Sequence, residues 1–168
     1  MATLILNADA SPISLLPLSV ISWEEAIRYL VSEKATPIEW YEDWIVRSAR
    51  WDTRVPAVMM LNEFQKTKKT IRFSKQNVFL RDEYICQYCG TEVTSKTATL
   101  DHVLPQSYGG TSTWLNCTTA CGICNSKKGN NKSIIPNSKP WKPDFWSLVN
   151  KRKKLGWQVA HESWNNYI

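Results

Sequence analysis

Two pairs of cysteines have the spacing of metal-binding turns. Cys86 and Cys89 form the first C-x2-C pair, and Cys121 and Cys124 form the second. Each pair can supply two thiolates to a tetrahedral ion, so the four together predict a closed, structural zinc site. The 31 residues between the pairs, 90–120, must then fold into a small structure that the zinc staples.

The cysteines also have other possible uses. Iron accepts four thiolates in the same tetrahedral geometry, and two disulfides would use the same residues. The N-terminus lacks the basic stretch of a secretory signal, which predicts a compartment where thiols stay reduced and disfavours disulfides. The fifth cysteine, Cys117, has no partner at this spacing and is predicted to be a small buried side chain.

A second group of reactive residues lies between and beside the cysteine pairs. Asp101 and His102 are adjacent, Asn116 follows after 13 intervening residues, and Asn125 comes directly after Cys124. A neutral imidazole can act as a general base near pH 7, and carboxylate and amide oxygens bind hard divalent cations. The competing interpretation is ordinary: such Asp-His pairs are usually hydrogen-bonded surface or core pairs, and asparagine beside a turn is usually a local cap.

The elements that must position these residues are a β-hairpin and a short helix. The run ATLDHVLP (98–105) is rich in strand formers, the loop QSYGGTSTW follows, and NCTTAC predicts the second strand. NSKKGNNK, after Cys124, predicts a short helix. Because adjacent side chains of a regular strand face opposite sides, Asp101 and His102 can serve one site only where the strand ends or twists.

The pattern C-x2-C … D-H-x-x-P-x-S-x-G-G … N-x4-C-x2-C-N-x-x-K-G resembles the HNH endonuclease family, with its ββα-metal fold. The resemblance covers about residues 72–132 and includes FSKQNVFLRDEYICQYCG upstream. It implies an α+β protein whose ββα-metal motif is stapled by the four-cysteine zinc site. The N-terminal region resembles, more weakly, the leader of some bacterial members.

The resemblance also implies roles for individual residues. His102 would be the general base that takes a proton from the attacking water. Asp101 and Asn125 would ligate a catalytic Mg²⁺ or Mn²⁺, and Asn116 would brace the loop and orient His102. The chain departs from the family's name because its last position is asparagine, an H-N-N arrangement that favours oxygen-loving cations.

The implied function is a metal-dependent DNA endonuclease that nicks or cuts duplex DNA, with a homing or mobile-element enzyme as the setting that suits it best. Lys127, Lys128 and Lys132 follow Asn125 and are predicted to contact the DNA backbone, although an ordinary solvated face explains them nearly as well. The alternative function is a zinc-dependent DNA-binding module without catalysis, which would not need His102.

Charge is distributed unevenly along the chain. Residues 1–64 hold 5 Lys/Arg against 9 Asp/Glu, whereas residues 65–168 hold 16 against 6. The basic part indicates a polyanion partner such as DNA. The alternative is that the lysines and arginines only make the protein soluble.

Three regions are predicted: an N-terminal α+β region (1–64), the zinc-stapled nuclease domain (65–132), and a basic, Trp-rich, helical tail (133–168). No run of 18 apolar residues exists, so no transmembrane helix and no membrane partner are expected. The predicted location is the cytoplasm of a bacterium or a phage-infected host, and the sequence leaves the oligomeric state open.

Flanking elements are also predicted. ATLILNA reads as a strand, and Ser22 followed by Glu25 forms a capping box that begins an amphipathic helix. The face of that helix that should reach the core consists of Trp23, Ala26, Ile27, Leu30 and Val31.

Other elements follow from caps and turns. The stretch from 36 to 51 reads as two strands that turn near Glu42 and Asp43. Ser74 should cap a short helix, and Asp144 should cap a longer one that ends at Gly156. The basic run 151–154 in its last turn either interacts with the helix dipole or forms a DNA-backbone patch.

Overall fold

The computed structural model describes residues 2–49, 51–67, 69–157 and 159–168, which form two compact units. The first unit contains the described residues up to 69 together with 159–168, and the second contains residues 70–157. The fold is α+β, as predicted. The division into three functional regions stays a prediction.

In its described residues the first unit contains a four-stranded sheet and one α-helix. The strands are β1 (Ala2–Leu6), β2 (Val20–Ser22), β3 (Ala35–Arg47) and β4 (Asp52–Leu61), in the order β2-β1-β4-β3. β1 and β4 run parallel, and the other neighbours are antiparallel. Helix α1 (Trp23–Val31) packs on the sheet and supplies part of the core.

Helix α1 begins where the sequence predicts and buries a slightly different face. The Ser22 hydroxyl accepts a hydrogen bond from the amide three residues on, at 3.3 Å. Ala26 is fully buried, and Tyr29 and Leu30 pack beside it. Including Val31 in the core face was wrong, since its side chain is 67% exposed. Val31 lies five residues beyond Ala26, which turns it well away from the sheet at 3.6 residues per turn.

The predicted turn near Glu42 and Asp43 is also wrong. Strand β3 continues through both residues, and its ladder with β4 shifts register between Trp40 and Ile45. Such an irregularity lets extra residues leave the ladder without reversing the chain. The reversal comes after β3, where the Ser48 hydroxyl accepts a hydrogen bond from the amide three residues on, at 3.1 Å.

The end of the chain belongs to the first unit. Trp164, in a 3-10 helix (Glu162–Asn166), is buried against Leu4, Leu6 and Val58. Its indole nitrogen donates to the Ala57 carbonyl at 2.8 Å, which satisfies the one polar atom of this large side chain. The C-terminal segment therefore contributes a core anchor to the sheet.

The second unit contains the predicted order of strand, loop, strand and helix. Its elements are α2 (Lys75–Arg81), β5 (Ala98–His102), β6 (Cys117–Cys121), α3 (Gly122–Lys128) and α4 (Phe145–Leu155). The two strands form an antiparallel hairpin. Helix α3 begins three residues earlier than the sequence indicated, because the sulfur of the last β6 residue accepts the amide hydrogen bond that caps it.

The buried guanidinium of Arg81 joins the separate elements of this unit. It forms a bidentate pair with Asp82, at 2.8 and 3.0 Å. It also donates to the carbonyls of Trp114, Cys117 and Trp141, each at 2.9 Å. A guanidinium that is fully removed from water is tolerated only when its donors are used in this way.

Helix α4 is capped by Asp144, whose carboxylate accepts the Ser147 amide at 2.9 Å. Part of its basic run is engaged in tertiary ion pairs, since Lys151 and Lys154 lie 3.1 and 3.2 Å from the two Glu83 oxygens. The dipole and DNA interpretations of the run stay predictions beside this structural role. α4 has 11 residues, and no helix in the described parts of the chain has the length and apolar character to cross a membrane.

Replacing Arg81 with Met should destabilise the second unit by about 3–5 kcal/mol, because three backbone carbonyls lose a donor and the Asp82 carboxylate loses its counter-ion. Hydrogen exchange of the β5 and β6 amides in the full chain would measure this loss of protection. The matched control is Arg47→Met, at an arginine that is 79% exposed, where the change should stay within about 0.5 kcal/mol. Equal protection in the two variants would contradict the role given to Arg81.

Candidate functional site

The four paired cysteines come together at one end of the β5–β6 hairpin. Their sulfur atoms all lie within 4.8 Å of one another, and those of Cys89 and Cys121 are 3.9 Å apart. A tetrahedral zinc with bonds of about 2.3 Å needs sulfur atoms roughly 3.8 Å apart, so the cluster fits a structural metal. The identity of the ion stays a prediction.

Backbone hydrogen bonds shape the turn that contains the first cysteine pair. The Cys86 amide donates to the Thr91 carbonyl at 2.8 Å, and the Gly90 amide returns to the Cys86 carbonyl at 2.9 Å. Gly90 has a φ of 75°, which glycine adopts without strain. The Gln87 amide donates to the Thr119 carbonyl of β6 at 2.9 Å, which ties the first turn to the hairpin.

The thiols of the cluster differ in acidity. Hydrogen bonds from the Thr91 side chain and backbone lower the pKa of Cys89 to about 6. Burial, followed by the neighbouring thiols, raises the pKa of Cys124 to about 12. Four thiolates at this distance repel one another, so a bound cation is what would allow all four to ionise together.

Asp101 is buried in β5, and both of its oxygens have partners. Oδ1 lies 3.0 Å from the Lys128 ammonium, and Oδ2 accepts a short hydrogen bond from the Tyr88 hydroxyl at 2.5 Å. Burial and this hydrogen bond raise the pKa of Tyr88 well above its usual range, which keeps the phenol a donor. Sequence reasoning missed Tyr88, whose one available signal is its place inside the first cysteine pair.

Lys128 is not exposed, as a contact with the DNA backbone would require. Its side chain is fully buried, and Nζ donates to the His102 carbonyl at 2.7 Å as well as to Asp101. The predicted phosphate contact of Lys128 is therefore wrong for this structure, because the ammonium is inside the unit. Lys127 and Lys132 are exposed, and their predicted DNA contacts stay predictions.

His102 ends β5, opposite Cys117, and is partly exposed. Its Nε2 lies 2.8 Å from the Ser112 hydroxyl and 3.5 Å from the Gln106 amide nitrogen. The partners of His102 thus come from the loop between the strands, whereas those of Asp101 come from the first cysteine turn and α3. β5 ends at His102. The end of a strand is where two adjacent side chains can serve one site although they alternate along a regular strand.

Asn116 fastens the loop between the strands. Its side-chain oxygen accepts the Leu104 amide at 2.8 Å, and its nitrogen donates to the carbonyls of Leu104 and Thr111 at 3.1 and 3.0 Å. A Cβ at Gly110 would lie 1.8 Å from the Leu104 carbonyl oxygen, so only glycine permits this close approach. Within the described residues no hydrogen bond joins the Asn116 side chain to His102, whose predicted orientation by Asn116 stays a prediction.

Asn125 lies on the face of α3 that covers β5. Its side-chain nitrogen donates to the Thr99 hydroxyl at 3.1 Å, and Lys128, one turn on, reaches Asp101. Thr99 and Asp101 alternate along the strand and so share one face. In the described chain no hydrogen bond reaches the Asn125 side-chain oxygen. A buried carboxylate that already attracts a cation and a free amide oxygen on the facing helix form a donor set that fits Mg²⁺ or Mn²⁺.

Comparisons with known proteins match two segments of the chain. Residues 86–133 match the model of the HNH endonuclease family, and residues 3–69 match that of the HNH endonuclease-associated N-terminal domain. A stretch of 51 residues is 39% identical to a CRISPR-associated endonuclease Cas9 from Corynebacterium diphtheriae. That stretch is 30% of this chain, which spans about 5% of the length of the Cas9 protein.

Metal analysis should find one zinc per chain in the purified protein, and Cys86→Ser should lose it together with the protection of β5 and β6 amides from exchange. The matched control is Cys117→Ala, at a buried cysteine that lies outside the cluster, which should retain the zinc. A cooperative melt in a zinc-free Cys86→Ser protein would contradict the structural role of the metal.

Proposed function

Through residues 86–133 the chain belongs to the HNH endonuclease family, and we propose that it is a metal-dependent endonuclease that hydrolyses phosphodiester bonds in DNA. The observation that supports this best is the arrangement at the end of β5. A partly exposed imidazole, His102, directly follows a buried carboxylate, Asp101, and the amide of Asn125 lies on the helix that covers the same strand.

His102 would act as the general base. Its Nε2 faces the Ser112 hydroxyl, and a neutral ring that accepts this hydrogen bond has its basic nitrogen directed into the loop. An attacking water that displaces the Ser112 hydroxyl from this nitrogen would donate its proton to Nε2. Asn116 would keep the loop, and with it Ser112 and Gln106, at a fixed distance from the ring.

Asp101 and Asn125 would hold the catalytic cation through oxygen atoms. When bound, Mg²⁺ or Mn²⁺ supplies positive charge that stabilises the scissile phosphate and the leaving oxygen. The cysteine cluster would contribute no chemistry, because four protein ligands fill a tetrahedral zinc and leave no open position.

The charge of the second unit supports DNA as the substrate. This unit holds 13 Lys/Arg against 5 Asp/Glu, and Lys127 and Lys132 lie exposed at and after the end of α3. Such side chains hold the phosphate backbone without reading the sequence. We also propose a homing or mobile-element setting, for which a cleavage screen should return one long, defined site; indiscriminate nicking of every plasmid would count against it.

The second candidate is a zinc-dependent DNA-binding module without catalysis. One observation favours it, since both oxygens of Asp101 already have protein partners in this structure. Under this alternative, His102 could be replaced without any loss of function, because there would be no cleavage to lose.

Purified protein should nick plasmid DNA with Mg²⁺ or Mn²⁺ and not with EDTA, and His102→Ala should lower the rate by about 10²–10⁴-fold because the general base is lost. Agarose gels of supercoiled plasmid over time would measure this. His161→Ala, at the other histidine of the chain, is the matched control and should cleave normally. Cleavage that is equal in the two variants would exclude the proposed base.

Binding of the His102→Ala protein to a fluorescent duplex should weaken steeply with salt. Replacing Lys127 or Lys132 with Gln should reduce the slope of log K against log salt by about 0.9 for each phosphate contact removed. Lys96→Gln, at an exposed lysine before the hairpin, is the control and should leave the slope unchanged. A slope that none of these variants alters would remove the two lysines from the interface.

A further inference from the structure

The ammonium of Lys128 is a buried cation at the centre of the candidate site. Its side chain is 0% exposed, and that of Asp101 is 4% exposed. Nζ lies 3.0 Å from Asp101 Oδ1 and 2.7 Å from the His102 carbonyl. A lysine so far from water stays charged only where anionic or polar oxygens surround it, and here two such oxygens come from consecutive residues of β5.

Both oxygens of Asp101 are engaged while Lys128 is in place. Oδ2 accepts from the Tyr88 hydroxyl, and Oδ1 has the ammonium within ion-pair distance. A divalent cation on Oδ1 would lie close to a positive ammonium in a poorly hydrated environment, where repulsion between like charges is strong. The two cations therefore exclude each other at this oxygen.

We propose that Lys128 is the counter-ion of Asp101 in the metal-free protein and must leave Oδ1 before the catalytic divalent cation binds. This inference rests on the proposed function. Lys128 thus acts through Asp101 as a positioning residue: it neutralises the buried carboxylate in the metal-free protein and weakens the affinity of the site for the divalent cation by competing for the same oxygen.

The place of Lys128 in α3 permits this movement. It is the last residue of the helix, and Gly129 follows it with a φ of 48°. Both hydrogen bonds of Nζ are made to β5 and neither is made within α3, so withdrawal of the ammonium would break no hydrogen bond of the helix. Asn125, which would supply the second oxygen ligand, uses its amide nitrogen and not this oxygen in the hydrogen bond to Thr99.

A purely structural lysine and a competing lysine predict opposite effects on metal binding. If Lys128 only stabilises the fold, removing its charge should leave the affinity for a divalent cation unchanged or weaken it. If it competes, removing the charge should tighten binding even though the metal-free protein becomes less stable. Affinity for Mn²⁺ in the absence of DNA separates the two cases without relying on catalysis.

The test is a titration of the zinc-loaded full chain with Mn²⁺, followed by electron paramagnetic resonance of the free ion. Lys128→Gln should bind Mn²⁺ at least about tenfold more tightly than the wild type, because the amide can still donate to Asp101 but no longer carries charge. Lys128→Arg should stay near the wild type, and Lys96→Met, at an exposed lysine before the hairpin, should have no effect. Lys128→Met tests the same charge loss if the Gln variant fails to fold.

Three results would contradict the proposed competition between Lys128 and the divalent cation. Tight Mn²⁺ binding that Lys128→Gln and Lys128→Met leave unchanged would overturn the competition while leaving the proposed function intact. Binding that Asp101→Asn does not reduce would place the cation elsewhere and overturn the inference. No Mn²⁺ binding in any of the proteins would overturn it together with the proposed metal dependence, a failure that plasmid cleavage would report separately.

Discussion

The second unit depends on buried charges that are compensated by fixed partners. A two-stranded hairpin is only marginally stable by itself, and β5 and β6 are five residues each. Arg81 connects this hairpin to the preceding helix and the following chain by donating to the carbonyls of Trp114, Cys117 and Trp141. Removing either charge of such a network leaves the other uncompensated, so the apolar core and the polar network must form together.

Helix α3 and strand β6 connect the cysteine cluster to the candidate catalytic residues. Cys121 ends β6 and also caps α3 through its sulfur, and the amide of Gln87 binds the same strand. A metal at the cluster therefore fixes where α3 begins, and this position determines where Asn125 lies over β5. The structural metal and the catalytic cation would both be held by α3, through Cys124 and through Asn125, which are consecutive residues of this helix.

Much of this arrangement is visible in the sequence because it rests on local rules. Helix starts were predicted from Ser22, Ser74 and Asp144, each of which accepts the hydrogen bond that its position demands. The turn assigned near Glu42 failed because acidic residues also occur in an irregular stretch of strand. The burial of Lys128 was missed because a lysine is exposed by default, and its burial requires an acceptor 27 residues away.

Helix α3 is only seven residues long, yet it contains a cysteine of the cluster, the proposed amide ligand and the buried lysine. Each residue inserted or deleted within it would rotate everything that follows by about 100°. Such a change would move both Asn125 and Lys128 away from their partners on β5. Related proteins that retain the activity should therefore keep this short helix at the same length.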